Sequence, residues 1–122
     1  MQHWIQKFRN AMHGIGIGSY GQSSFSVHGA VAIAVIAIAF ALRCQAWQWC
    51  VLLLCIALVM SLELVNSALE LLARGLCKEH NERVGKALDV ASGAVLCASL
   101  FAAIIGFIVL GGRCWHFFFD GS

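Results

Sequence analysis

The sequence predicts an all-α membrane protein, in which an amino-terminal amphipathic surface helix precedes three transmembrane helices. Of the 122 residues, 61% are hydrophobic and 11% are charged, and there is no proline. The mean hydropathy of +0.83 is far above that of soluble domains. Three apolar runs each come close to the roughly 20 residues that a helix needs to cross a bilayer. Three such helices cannot enclose a large interior, so we expect a homo-oligomer.

Residues 2–13 form the predicted surface helix, because apolar side chains recur there at helical spacing and polar or basic side chains fill the other faces. Residues 14–24 are rich in glycine and serine, and we expect a flexible link. The stretch from Gly16 to Gly21 matches the G-x-G-x-x-G string of dinucleotide-binding folds. That motif needs a preceding strand within a parallel unit, which this chain cannot supply. Close approach of the link backbone to a ligand phosphate is the alternative.

The first predicted span covers residues 25–42, which are apolar except for Ser26 and His28. Alanine and isoleucine alternate along part of this run, as in a strand. Both faces are apolar, however, and an unpaired strand cannot cross lipid, so a helix is predicted. We interpret His28 as a packed or hydrogen-bonded residue rather than a metal ligand.

Spans two and three are predicted at residues 47–72 and 88–111, on either side of the charged segment 73–86. Small residues in span three suit close contacts between helices. The six cysteines show no paired metal spacing and lie mostly in apolar runs, where a thiol behaves as a small hydrophobic group. The net charge of +2 is too small to indicate nucleic acid binding.

Basic residues predict the orientation of the chain in the membrane. Lys7 and Arg9 precede span one, and four more basic residues lie in segment 73–86, whereas only Arg43 and Arg113 lie on the other side. The positive-inside rule therefore places the amino terminus and the 73–86 loop in the cytoplasm and the carboxyl terminus outside.

Span two carries a polar stripe made of Glu63, Asn66 and Glu70. Their spacing of three and four residues places all three on one helix face. A charged side chain at mid-membrane costs on the order of 2.5 to 3.5 kcal/mol, so two carboxylates on one stripe need compensation. The stripe is a candidate site, although a polar seam that joins helices would show the same pattern.

The depth of these side chains favours chemistry. Glu70 lies near the cytoplasmic end of span two, Glu63 about 10 Å further in, and Asp89 where span three leaves the same interface. This gradient suits transfer from a soluble phosphate donor to a lipid hydroxyl. The shallow carboxylate would hold a divalent cation, and the deeper one would accept the hydroxyl proton.

Two motifs strengthen this prediction. From Glu63 the chain reads ELVNSALE, and after a charged loop it reads ALDVASGAVL up to Leu96. These segments resemble the prokaryotic diacylglycerol kinase and undecaprenol kinase family, with its pattern E-L-x-N-[ST]-A-[IL]-E followed by A-K-D-x-x-[SA]-[AG]-A-V-L. A weaker F-x-x-A-x-x-G pattern is carried by Phe8, Ala11 and Gly14.

The resemblance implies a homotrimer of three-span subunits in the bacterial inner membrane, with active sites shared between subunits at the cytoplasmic interface. Such a site would transfer the γ-phosphate of ATP to a lipid alcohol, diacylglycerol or undecaprenol, with Mg²⁺. Glu63 would be the general base and Glu70 a metal ligand. Asn66 and Asp89 would be catalytic partners that order the base and the phosphates. Glu79, together with Glu70 and Asp89, would belong to the nucleotide site.

Two positions depart from the family pattern. The second metal-binding glutamate aligns with Gln22, which would offer the metal and nucleotide site a carbonyl oxygen without a charge. The lysine expected to contact the phosphates is replaced by Leu88. Other cations could take its place, namely Arg74, Lys78, Arg83 or Lys86. Two alternatives therefore stay open: a related lipid phosphotransferase with another donor, lipid or direction, and a catalytically degenerate membrane assembly module.

Overall fold

The computed structural model describes residues 2–19 and 23–120, and all regular structure within these ranges is helical. Helices α3 and α4 form the most extensive pair, α2 packs mainly on α3, and α1 also contacts α3. Helix α4 continues into a π-helical turn at His116–Asp120. The four helices are α1 (Gln2–Ser19), α2 (Ser23–Ala41), α3 (Ala46–Leu76) and α4 (Glu82–Trp115).

Two stretches of the described chain are long and apolar enough to cross a membrane: Ala46–Leu76 and Glu82–Phe119. A third apolar helix, Phe25–Ala41, is shorter. Only 22% and 17% of the most apolar windows of the two long helices are buried within the chain, whereas a core helix of a soluble protein would be mostly buried. The exposed apolar surface therefore fits a membrane protein.

The helices extend further than the sequence predicts. Helix α1 runs six residues past the predicted end at residue 13 and takes in most of the expected link, because glycine costs a helix only about 1 kcal/mol and does not forbid it. The predicted loop 73–86 shrinks to 77–81, since its flanks are good helix formers. Asn81 caps α4: its side-chain oxygen accepts hydrogen bonds from the backbone N–H groups of Arg83 and Val84. Dense charge here indicates exposed helix ends rather than a long loop.

The end of the bundle away from this loop is fixed by a small core and by one arginine. Ala39, Leu52 and Val109 pack together there from three helices. Nearby, the Arg113 guanidinium donates hydrogen bonds to the carbonyl oxygens of Leu42 and Arg43, at 3.0 and 2.7 Å. These carbonyls belong to the turn that follows α2, so Arg113 ties the turn between α2 and α3 to the end of α4.

The same turn contains Arg43 in the left-handed region, with φ of 54°, which a non-glycine residue adopts at some cost. The two hydrogen bonds from Arg113 hold this conformation. Burial raises the pKa of the neighbouring Cys44 thiol, and the positive charge of Arg113 partly opposes that rise. Cys44 is therefore expected to react with thiol reagents more slowly than an exposed cysteine at neutral pH.

Candidate active site

The polar stripe of α3 is present in the fold, and its members differ in depth. Glu63 is 3% exposed, whereas Asn66 and Glu70 are half-buried. The Asn66 side-chain amide donates a hydrogen bond of 3.3 Å to Oε1 of Glu70. Asn66 therefore orients the shallow carboxylate, while Glu63 depends on other helices for its partners.

Glu63 is paired across the helix interface with His28 of α2. The distance from Nδ1 of His28 to Oε1 of Glu63 is 2.9 Å, which is an ion-pair distance, although the contact is bent away from hydrogen-bond geometry. The other ring nitrogen, Nε2, lies 3.2 Å from Oγ of Ser99 on α4. Three helices thus contribute to one partly buried chain of polar side chains, which supplies the compensation that the buried carboxylate requires.

A polar cavity of about 400 Å³ lies beside the α3–α4 loop. Two carboxylates, those of Glu70 and Glu79, line it together with the Arg74 guanidinium. Leu88 lines the same cavity, so the position of the missing lysine and the side chain of Arg74 face one space. Its other lining residues are Ala73, Cys77, His80, Asn81, Val84 and Gly85.

A second, larger cavity of about 620 Å³ lies between α2, α3 and α4. His28 and Ser99 are its polar lining residues, and alkyl, aromatic or thiol side chains make up the rest. Along α2 the lining runs from His28 to Leu42, which corresponds to about 21 Å of helix. The cavity therefore has one polar end and a long apolar body.

The two cavities lie in line along the seam between α3 and α4, and Glu63 lies between them. On α3, the apolar cavity is lined by residues before Glu63, up to Met60, and the polar cavity by residues after it, from Glu70 onward. Glu63 and Glu70 are seven residues apart, so they share a face and are separated by about 10 Å. The buried carboxylate thus separates a polar compartment from an apolar one.

Three buried polar atoms near Glu63 have no hydrogen-bond partner among the described residues. They are Nδ1 of His28, whose contact with Glu63 is the ion pair described above, Oδ1 of Asn66 and Oγ of Ser67, and Ser67 is only 2% exposed. Buried polar atoms are almost always paired, and leaving one unpaired costs about 1 to 3 kcal/mol. These atoms indicate that a ligand, water or another subunit completes the site.

Asp89 differs from the expectation that it faces Glu63 and Glu70. It is exposed and lines neither cavity. The reason is helical geometry: its neighbour Leu88 faces the polar cavity, and one residue further the side chain points about 100° away. Gln22, the other predicted metal and nucleotide contact, lies outside the described residues.

Among the described residues, no group of three or more His, Cys, Asp or Glu side chains could hold a metal ion unaided. Mg²⁺ does not need such a group, because it commonly binds through one or two carboxylates together with substrate phosphates. The two carboxylates of Glu70 and Glu79 in one cavity, the first of them held by the amide of Asn66, fit that mode.

Two residues of this site, His28 and Ser99, were not predicted from the sequence as functional, whereas Arg74 was one of the four cations named as replacements for the missing lysine. The sequence did single out His28, because it is the only residue with a titratable side chain in the apolar run 25–42. It did not single out Ser99, because small residues are common in span three.

Comparison with known proteins assigns the chain to a family. The family model described as prokaryotic diacylglycerol kinase matches residues 9–110, which is most of the chain and includes the stripe, His28, the polar cavity and most of the lining of the apolar cavity. No individual curated protein matches the sequence. The chain belongs to the prokaryotic diacylglycerol kinase family.

Proposed function

We propose that the protein is an ATP-dependent lipid kinase that phosphorylates the hydroxyl of a membrane lipid, either diacylglycerol or undecaprenol. Family membership supports a lipid kinase in general terms. The observation that carries the specific proposal is the position of the buried Glu63 between a polar and an apolar cavity. A kinase that joins a water-soluble donor to a lipid acceptor needs both compartments, with a base between them.

The donor phosphates would occupy the polar cavity. Glu70 and Glu79 would hold Mg²⁺ against them, and the ion would supply neutralisation of phosphate charge. Arg74 lies one helical turn after Glu70 and lines the same cavity as Leu88. Of the four candidate cations, Lys78, Arg83 and Lys86 do not line it, and Lys86 lies 3.5 Å from Glu82 instead. We therefore assign the phosphate-contacting role to Arg74.

The hydrocarbon chain of the acceptor would occupy the apolar cavity. Its length of about 21 Å beside α2, its apolar lining and its single polar end suit a long lipid chain with one hydroxyl. The polar end, at His28 and Ser99, adjoins Glu63. A lipid held in this direction presents its hydroxyl toward the base.

The transfer step follows from this arrangement. The acceptor oxygen forms a bond to the γ-phosphorus, and its proton passes to the Glu63 carboxylate. The bond between the γ-phosphorus and the bridging oxygen breaks, and ADP leaves with that electron pair. Glu63 then loses the proton to solvent and is ready for another cycle. The chain's own contribution is orientation, exclusion of water and acceptance of the proton.

The proposed assembly is a homotrimer of three-span subunits in the bacterial inner membrane, with the amino terminus and the α3–α4 loop in the cytoplasm. Phe25–Ala41 would be the first span, completed by flanking residues. The exposed Asp89 supports sharing of sites, because it could reach the site of a neighbouring subunit although it lines neither cavity of its own. The unpaired Asn66 and Ser67 atoms agree with a site completed from outside.

The direct test is phosphate transfer by the purified protein in vesicles that contain diacylglycerol or undecaprenol, with ATP and Mg²⁺. We expect a phosphorylated lipid that depends on both the nucleotide and the metal ion. Leu88 stands where the family has a lysine that contacts the donor phosphates, so other nucleoside triphosphates belong in the same assay. Activity with another donor alone would contradict ATP as the donor. Absence of transfer and of nucleotide binding in a stable oligomer would support the degenerate assembly module.

Filling the apolar cavity should change how tightly the acceptor binds. Ala102 lines this cavity on α4. Ala102→Phe is expected to raise KM for a long-chain acceptor by about 10-fold, since it removes the space that the chain occupies, while KM for ATP stays the same. The assay compares long-chain and short-chain diacylglycerols in mixed micelles.

The matched control for this prediction is Ala57→Phe, the same change at an exposed position that lines neither cavity. It should leave both KM values unchanged. If Ala102→Phe affects long and short acceptors equally, the hydrocarbon chain lies elsewhere.

A further inference from the structure

We propose that His28 and Ser99 form a positioning pair that holds the carboxylate of Glu63 for proton transfer. This inference rests on the proposed function, because it takes Glu63 as the base. A carboxylate that is 3% exposed needs a partner to stay in one place and in one charge state. His28 is the ion-pair partner that the described residues provide.

The hydroxyl of Ser99 donates a hydrogen bond of 2.7 Å to the backbone oxygen of Val95, one turn earlier in α4. The single hydroxyl hydrogen is thereby used, so Oγ accepts at its contact with His28 and Nε2 carries the hydrogen. Ser99 thus fixes both the ring orientation and the protonated nitrogen.

The other ring nitrogen of His28, Nδ1, faces Oε1 of Glu63 at 2.9 Å. Two unprotonated acceptors at this distance would repel each other, so the pair holds one proton on one partner or the other. The pair is then either a carboxylate with an imidazolium or a carboxylic acid with a neutral ring. In the first form Oε2, the oxygen that His28 does not contact, is free to accept the hydroxyl proton of the acceptor.

The order Ser99, His28, Glu63 resembles a nucleophilic triad, but the surroundings favour a positioning role. Ser99 lies within a continuous helix, whose backbone N–H groups are used in the helix itself and cannot stabilise an oxyanion. Its hydroxyl hydrogen also points to Val95 rather than to the ring. Ser99 therefore anchors His28 and is not a nucleophile.

Side-chain stereochemistry gives a sharp test of positioning. An asparagine at position 28 places its amide nitrogen near the location of Nδ1, whereas a glutamine places it near Nε2. We expect His28→Ala to lower kcat by about 10- to 100-fold with both KM values nearly unchanged, as for other losses of alignment. His28→Asn should recover most of kcat, and His28→Gln much less. Ser99→Ala should give a smaller loss of kcat.

Two variants at exposed positions test whether the effect is specific to His28 and Ser99. His13→Ala and Ser92→Ala remove the same groups at exposed positions, and neither should change kcat. If His28→Asn is as inactive as His28→Ala, the ring transfers the proton itself and the positioning role is wrong. If His28→Ala is fully active while Glu63→Gln is inactive, the inference fails and the proposed function stands.

A readout that does not need activity completes the test. Nuclear magnetic resonance of protein labelled with ¹⁵N-histidine resolves the ring nitrogens, and the His28 signals are those absent from His28→Asn. Glu63→Gln should shift these signals, because the proton shared with the carboxylate is lost. Unchanged His28 signals in Glu63→Gln would overturn the pairing, whether or not the protein is a kinase.

Discussion

Replacement of Glu63 by glutamine is expected to lower kcat for lipid phosphorylation by about 10³-fold, since an amide cannot accept the hydroxyl proton and a general base contributes roughly 10²- to 10⁴-fold. KM for ATP and for the lipid should change little, because the side chain keeps its size and lies outside the lining of both cavities. The measurement is the rate of phosphate transfer in vesicles at saturating substrates.

Glu82→Gln is the matched control for this variant, because Glu82 is an exposed glutamate outside both cavities. It should retain the full rate. The thermal stability of Glu63→Gln should be close to that of the parent, since a buried charge is removed while a polar group stays opposite His28. A Glu63→Gln protein with a normal kcat would show that another group accepts the proton.

Replacement of Arg74 by alanine should raise KM for ATP and lower kcat/KM by about 10²-fold, in keeping with the two to four kcal/mol that charge-stabilising groups commonly supply. The physical reason is that Arg74 is the cation in the cavity with Glu70, Glu79 and Leu88. The measurement is the dependence of phosphate transfer on ATP concentration at fixed lipid.

The double variant Arg74→Ala with Leu88→Lys tests whether the cavity, rather than a particular residue, needs the charge. It returns a cation to the same cavity from α4, and we expect it to recover much of the lost kcat/KM. Arg83→Ala is the control, because Arg83 does not line the cavity. If Arg83→Ala costs as much as Arg74→Ala, the assignment of the phosphate contact to Arg74 is wrong.

Much of the site could be predicted from one helix alone. Spacing placed Glu63, Asn66 and Glu70 on one face, and the structure contains the hydrogen bond from Asn66 to Glu70 that this spacing allows. The all-helical character also follows from composition and from the length of the apolar runs. These features depend on neighbours within a few residues, which is the range that a sequence pattern describes.

The partners of Glu63 could not be predicted in the same way. His28 and Ser99 belong to two other helices, and they lie 35 and 36 residues from Glu63 along the chain. Which face of α2 meets α3 is decided by packing over the whole interface, and no local pattern encodes it. The choice of Arg74 among four cations likewise needed the continuation of α3 to Leu76, which directs Arg74 into the cavity.

The expectation for Asp89 shows the opposite limit. Sequence proximity to Leu88 and to the start of α4 suggested that it joins Glu63 and Glu70, but one residue of helical rotation takes it out of the seam. Similarly, glycine content suggested a link at 14–24, whereas α1 continues to Ser19. Residue type predicts which secondary structure a segment favours. The geometry of the helix determines where each side chain points.

In the proposed reaction, the buried position of Glu63 between the two cavities has a consequence for how the product leaves. A lipid alcohol is neutral and dissolves in the apolar cavity, but its phosphorylated form carries charges that hydrocarbon excludes at a cost of several kcal/mol. The reacted head group would therefore favour the polar cavity, and its chain would be drawn out of the apolar cavity with it. Release of the product would thus be coupled to its own change in solubility, and the emptied cavity would favour unreacted lipid over the charged product.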